Sequence, residues 1–213
     1  MRYIVYLPPC YDASGEKSYP VLYLFHGQGY AEDQWVRLGV QTRADALISS
    51  GKLPPFLVVM PFDYSYKQPT EYAFEEVFLR ALIPTIQKDF RVRRGRENRA
   101  IGGLSRGGAW ALHIGMRNPA LFGSIGGHSA AIFVIDEKAL RSRTLAVSEN
   151  IMPRIWLDAG DHDSELALIG GYEQFLTEHK VSHEWHIYTG WHEEKYWSSH
   201  LDQYLSWYAR VWK

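Results

Sequence analysis

An α/β fold, with a mostly parallel central sheet flanked by helices, is predicted by three features of the 213-residue chain. Short β-branched and aromatic runs alternate with longer segments of helical period, the pattern of strands joined by crossover helices. The composition, 46% apolar and 22% charged, is that of an ordinary globular domain and excludes a disordered or fibrous chain. No repeat, low-complexity tract or Gly/Ser linker interrupts the sequence, so residues 1–213 read as a single domain.

Strands are expected at 2–7, 21–25, 56–60, 99–104, 123–127, 154–158 and 182–188. Helices are expected at 44–50, 72–89, 106–117, 165–179 and 194–211. In the second of these, Phe74, Val77, Phe78, Ala81 and Leu82 recur at three- and four-residue spacing and form one apolar face. Pro84 is expected to kink or split that helix, because it lacks a backbone N–H. Residues 131–153 are weakly patterned and lie between two strands, the place for a small cap or substrate loop.

Charge removes several function classes. Lys and Arg number 23 against 24 Asp and Glu, with no polybasic run, so neither nucleic acid nor a membrane surface is an expected partner. Apolar runs such as 56–60 fall far short of the roughly 18 residues that span a bilayer. The first ten residues lack the apolar core of a signal peptide, and a cytoplasmic location is expected. The single cysteine, Cys10, can form neither an intrachain disulfide nor a cysteine zinc site. Aromatic residues make up 15%, enough to fill a core and to line a pocket for phenolic or sugar rings.

The sharpest chemical signal is Gly103-Leu104-Ser105-Arg106-Gly107, a Gly-x-Ser-x-Gly motif placed between a strand and a helix. A tight strand-to-helix turn presents the serine hydroxyl outward, and the flanking glycines leave room for the turn. The Arg106 N–H, at a helix N-terminus, is then aimed where an oxyanion develops. A serine needs a base, and in this topology an acid and then a histidine follow it in the chain. The loop Ala159-Gly160-Asp161-His162-Asp163-Ser164 offers both Asp161 and Asp163 after a strand, with Asp158 too deep in the strand itself. Asp163 also competes for the role of N-cap of the next helix. His192 follows the last strand, and His200, eight residues on, is its rival. The early loop Phe25-His26-Gly27-Gln28-Gly29 supplies the second oxyanion donor, the Gln28 N–H, and His26 reads as a structural loop residue.

Together these residues resemble the esterase D-like, or “Putative esterase”, family of α/β-hydrolases, and within it the feruloyl esterase-like members. The resemblance is carried by Tyr19-Pro20-Val21-Leu22-Tyr23-Leu24-Phe25-His26-Gly27, Leu82-Ile83-Pro84, Glu97 through Ser105, and Asn118-Pro119-Ala120-Leu121-Phe122-Gly123. It implies an α/β-hydrolase fold and a serine carboxylic-ester hydrolase with Ser105, His192 and Asp163 as the triad. The Gly-x-x-Asp likeness of Gly160-Asp161-His162-Asp163 favours Asp163 over Asp161. Aryl or carbohydrate esters of feruloyl or acetyl type are the implied substrates, with Trp191, Trp197 and Tyr64 as candidate binding residues. No cofactor and no metal is implied.

Three departures from the family pattern carry expectations of their own. Arg106 stands where relatives have Met, and a guanidinium beside the pocket would favour a polar or anionic acyl group. Ala81 replaces the acidic residue before Leu-Ile-Pro. Met1 falls where the family is already in its first or second strand, so the N-terminal strand region reads as shortened. The sheet edge it leaves is expected to pair in a homo-oligomer. Other readings of the same residues are a thioesterase or acyltransferase, a non-catalytic binding protein of this fold, and a metal site at Asp161, His162, Asp163, His179, His183 and His186.

Overall fold

The computed structural model describes residues 1–213. Its core is one seven-stranded sheet. The strands are β1 (Tyr3–Tyr6), β2 (Val21–Phe25), β3 (Leu57–Pro61), β4 (Arg99–Leu104), β5 (Ser124–His128), β6 (Arg154–Gly160) and β7 (Glu184–Tyr188), in the order β1-β3-β2-β4-β5-β6-β7. Only β1 runs antiparallel, paired with β3; every other pairing is parallel. The central strands β2, β3, β4 and β5 are buried along their whole length, which explains their near-continuous apolar or glycine runs.

The period-2 alternation sorts these strands into two cores. Val21, Tyr23 and Phe25 face one core with Ile101 and Ile125, whereas Leu22 and Leu24 face the other with Ala100 and Leu104. The first core is covered by α3 (Phe74–Val77), α4 (Ile83–Asp89), α5 (Arg106–Arg117), α6 (Glu137–Ala146) and α7 (Leu166–Glu178). The second is covered by α1 (Gln34–Arg37), α2 (Val40–Ser49), α8 (Glu194–Ser199) and α9 (Leu201–Ala209). Burial on both faces is what a parallel sheet requires.

The α-helical run is interrupted ahead of Pro84 as expected: a π-helical turn at Phe78–Leu82 separates α3 from α4, and Pro84 lies in the first turn of α4. One expectation is corrected, that of a single terminal helix. The terminal helix expected at 194–211 divides at His200, whose backbone leaves helical geometry. Within 131–153 lies α6, which forms the crossover from β5 to β6 and is tied to α7. Thr144 Oγ1 and the Tyr172 hydroxyl are 2.8 Å apart, and Arg141 donates to the Gly171 carbonyl at 3.0 Å. At the far edge of the sheet, β1 has β3 on one side and no strand on the other.

Candidate active site

The loops that follow β2, β4, β5, β6 and β7 meet at the carboxyl ends of the strands, where open α/β sheets place their ligands. Ser105 stands between β4 and α5 with φ 53 and ψ −123, a backbone strain retained at a turn of this sharpness. A Cβ at Gly103 would overlap the Gly107 backbone, and one at Gly107 would overlap the Phe25 carbonyl, so both glycines of the motif are sterically required. The Ser105 N–H donates to the His128 carbonyl at 2.9 Å, and the Ala131 N–H donates to the Ser105 carbonyl at 3.1 Å.

Ser105 Oγ is 2.9 Å from His192 Nε2, and His192 Nδ1 is 2.8 Å from Asp163 Oδ1. Asp163 has a fully buried side chain, while that of His192 keeps 24% of its surface exposed toward the opening. The Glu165 N–H donates to the same Asp163 oxygen at 2.7 Å. Turn formation and the histidine contact, expected to compete for this carboxylate, are therefore served together. Burial of Asp163 would raise its pKa, but the hydrogen bonds from His192 and the Glu165 N–H outweigh it and hold the carboxyl below its ordinary value. It is an anion at neutral pH.

The rivals have other partners. Asp161 accepts from the Gly190 N–H at 2.9 Å and from His162, clasping the β6 loop to the β7 loop without touching His192. His200 Nδ1 is bonded to the Tyr196 carbonyl at 2.7 Å, and its ring stacks on Tyr188. His26 is buried, between the Gly27 carbonyl and the Asp63 N–H. No three His, Cys, Asp or Glu side chains converge in a metal-binding arrangement.

A pocket of about 390 Å³ opens above Ser105, lined by Gly27, Gln28, Tyr30, Leu104, His192 and Trp197 among others. The N–H groups of Gln28 and Arg106 donate to no protein acceptor, which leaves both free for an oxyanion. Of the three aromatic residues expected at the site, Trp197 alone lines this pocket. It stands edge-on to His192 at 5.0 Å and donates to Ser129 Oγ at 3.1 Å. Trp191 lies 59% exposed against His162, and Tyr64, 69% exposed, packs on Tyr72.

The Arg106 side chain departs from expectation. Its guanidinium is buried, bonded to Asp63 Oδ2 at 2.8 Å and to the Lys67 carbonyl at 2.7 Å, and it lies over the ring of Phe133. With its charge matched by Asp63, it braces the loop after β3 and offers no cation to an acyl group. Sequence reasoning missed Ser129, Gln34 and Tyr30. None belongs to a recognisable motif, and each is brought to the site by the ordering of the strands.

Sheet order, crossover helices and a serine on the sharp turn after β4 define an α/β-hydrolase. A solved ferulic acid esterase superposes with a TM-score of 0.86 at 28% identity, covering 99% of this chain and 92% of that one. An enterobactin esterase from Shigella flexneri shares the fold at 19% identity and a TM-score of 0.76, covering 99% of this chain and 55% of that one. The family model described as “Putative esterase” matches residues 1–208, and the chain belongs to that family. Among curated proteins it is 38% identical over 147 residues to an endo-1,4-beta-xylanase/feruloyl esterase of Xylanibacter ruminicola, a match to 62% of this chain. It is 33% identical over 135 residues to an esterase of Mycobacterium tuberculosis, a match to 59% of this chain. Those matches span 20% and 28% of the relatives' own lengths. No helix is long and apolar enough to cross a membrane.

Proposed function

We propose that this chain is a serine carboxylic-ester hydrolase that works through an acyl-enzyme. The observation that carries the reading is the unbroken series Ser105 Oγ, His192 and Asp163 at the base of a pocket, beside two unpaired N–H groups. His192 Nε2 takes the Ser105 proton as Oγ attacks the ester carbonyl, and the resulting oxyanion is held by the N–H groups of Gln28 and Arg106. Asp163 fixes the tautomer that leaves Nε2 unprotonated and stabilises the imidazolium that forms. The imidazolium then protonates the departing alcohol. Water, activated by the same ring, hydrolyses the acyl-enzyme and regenerates Ser105.

The substrate class is an ester of an aromatic acid or of a carbohydrate. Tyr30 and Trp197 in the pocket support it, with the exposed ring of Trp191 on the residue before His192 and the feruloyl esterase activity named for one relative. The reading also includes self-association through the open edge of β1. Turnover is tested with methyl ferulate, acetylated sugars and p-nitrophenyl esters of rising chain length, together with fluorophosphonate labelling. Hydrolysis and labelling that both vanish in Ser105→Ala support the assignment; hydrolysis that survives this change removes it. A monomer in sedimentation at high concentration removes the self-association.

A further inference from the structure

We infer that Gln34 is a positioning residue for the oxyanion hole, setting the Gly27–Gln28 segment in register with the loop that carries His192. The inference rests on the esterase reading above. Gln34 opens α1 and is completely buried. Its Oε1 accepts the Gly27 N–H at 2.8 Å, and its Nε2 donates to Glu194 Oε1 at 3.2 Å. Glu194 opens α8, two residues after His192, and also pairs with Arg37 at 3.0 Å. One amide side chain therefore bridges the loop that offers an oxyanion donor and the loop that offers the base.

The network settles its own proton positions. A backbone N–H must face oxygen and a carboxylate must face N–H, so only one orientation of the Gln34 amide satisfies both neighbours. His26 Nε2 accepts the Asp63 N–H at 2.9 Å and is unprotonated. Its Nδ1–H then donates to the Gly27 carbonyl at 2.7 Å.

That carbonyl and the Gln28 N–H belong to one planar trans peptide and point in opposite directions. Holding the carbonyl on His26 turns the Gln28 N–H the other way, where it meets no protein acceptor. Holding the preceding N–H on Gln34 fixes the other peptide that flanks Gly27. Glycine alone would let these two planes rotate widely. Clamped at both ends, the Gln28 donor is oriented before substrate arrives, and an oxyanion meets it without reorganisation cost.

The wild-type hydrolysis of an aryl acetate, absent in Ser105→Ala, first checks the esterase reading by itself. Against that baseline, Gln34→Met is expected to lower kcat about 10- to 100-fold with KM within about threefold, because the lost orientation is felt in the transition state. A trifluoromethyl ketone, whose serine adduct bears the same oxyanion, is expected to lose affinity by the same factor. The paired change Gln34→Glu with Glu194→Gln rebuilds the bridge with donor and acceptor ends exchanged. It is expected to restore kcat to within about fivefold of wild type, whereas Gln34→Glu alone sets two carboxylates face to face and does not. A kcat within twofold of wild type in Gln34→Met overturns the inference. So does a fall in kcat without the matching loss of ketone affinity, or a paired change no better than the single one. If Gln34→Met does not fold, the comparison of Gln34→Glu with the paired change decides alone.

Discussion

Two histidine–aspartate pairs lie near the carboxyl ends of the sheet with almost the same geometry. In one, His192 Nδ1 meets Asp163 Oδ1 at 2.8 Å and Nε2 meets the Ser105 hydroxyl at 2.9 Å. In the other, His128 Nδ1 meets Asp158 Oδ1 at 2.7 Å and Nε2 meets the Tyr208 hydroxyl at 3.0 Å. Acid, imidazole and hydroxyl are thus arrayed twice, with a serine alcohol in one, a tyrosine phenol in the other, and different surroundings. The His128 and Asp158 side chains are wholly buried. Asp158 accepts from Trp156 Nε1 and from the hydroxyls of Tyr196 and Tyr204, so the carboxyl is fully hydrogen-bonded and closed to substrate. Burial, with the Asp158 charge beside it, pushes the Tyr208 phenol far above its ordinary value, the opposite of what a nucleophile needs. An acid–histidine–hydroxyl array is therefore no catalyst by itself; access, the kind of hydroxyl and the neighbouring unpaired N–H groups of Gln28 and Arg106 distinguish the first from the second.

The buried array does serve the open one. The carbonyl of His128 holds the Ser105 N–H, and the carbonyl of Asp158 holds the Ser129 N–H at 2.7 Å. Tyr196, one turn beyond His192, hangs from the Asp158 carboxyl. Gly102 and Gly126, paired across β4 and β5, vacate the space into which the Tyr208 hydroxyl projects; a Cβ on either would overlap it.

The contrast is broken most directly at the open array. Ser105→Ala and His192→Ala are each expected to lower kcat by about 10⁶-fold, measured on an aryl ester with the folded fraction checked by circular dichroism. Asp163→Asn is expected to cost about 10⁴-fold, since the amide favours the wrong tautomer of His192. If Asp161→Asn costs more than Asp163→Asn, the acid has been misassigned.

At the buried array the expected loss is in stability and not in turnover. Asp158→Asn is expected to reduce the free energy of unfolding by about 3–5 kcal/mol in urea titrations, with kcat per folded molecule changed by less than about 10-fold. Tyr208→Phe is expected to cost about 1 kcal/mol, the worth of one buried hydrogen bond, and to leave kcat alone.

A third pair sharpens the comparison through pH. Burial of His113 would lower its pKa, but hydrogen bonds to Asp136 at 2.6 Å and Glu75 at 3.2 Å outweigh it and raise it. A histidine raised on folding contributes stability that is fully present below its unfolded value of about 6.5 and lost as pH climbs through the folded value. Asp136 and Glu75 are held below their ordinary values, so their share is lost as the solution turns acid. The difference in melting temperature between the protein and His113→Gln is accordingly expected to be widest between about pH 4.5 and 6.5 and to shrink above that range. A difference independent of pH would show that His113 is held by packing alone.

Much of the fold was legible because its signals are local. Strand limits at Val21–Phe25 and Arg99–Leu104 and the helix Arg106–Arg117 match the sequence reading to the residue, since apolar runs bounded by turn residues report burial directly. Helix α1, only four residues long, carries no periodic signal, and α6 is too polar for its period to stand out. Ser105 was legible from its Gly-x-Ser-x-Gly motif, and His192 from its place after the last strand. Asp161 and Asp163 were separable only by likeness to a family, because both carboxylates sit in one loop and sequence spacing does not say which way each one turns.

By itself the sequence determined where the chain must turn sharply, which strands would be buried on both faces, and the chain order of Ser105, an acid and His192. Those are properties of neighbouring residues, fixed by steric limits and by the apolar period. Tertiary structure decided that Asp163 and not Asp161 reaches His192, that the Arg106 guanidinium is spent on Asp63, and that Gln34 joins Gly27 to Glu194. Each joins segments distant along the chain. Such pairings depend on the order and twist of the sheet, which no local pattern of residues encodes.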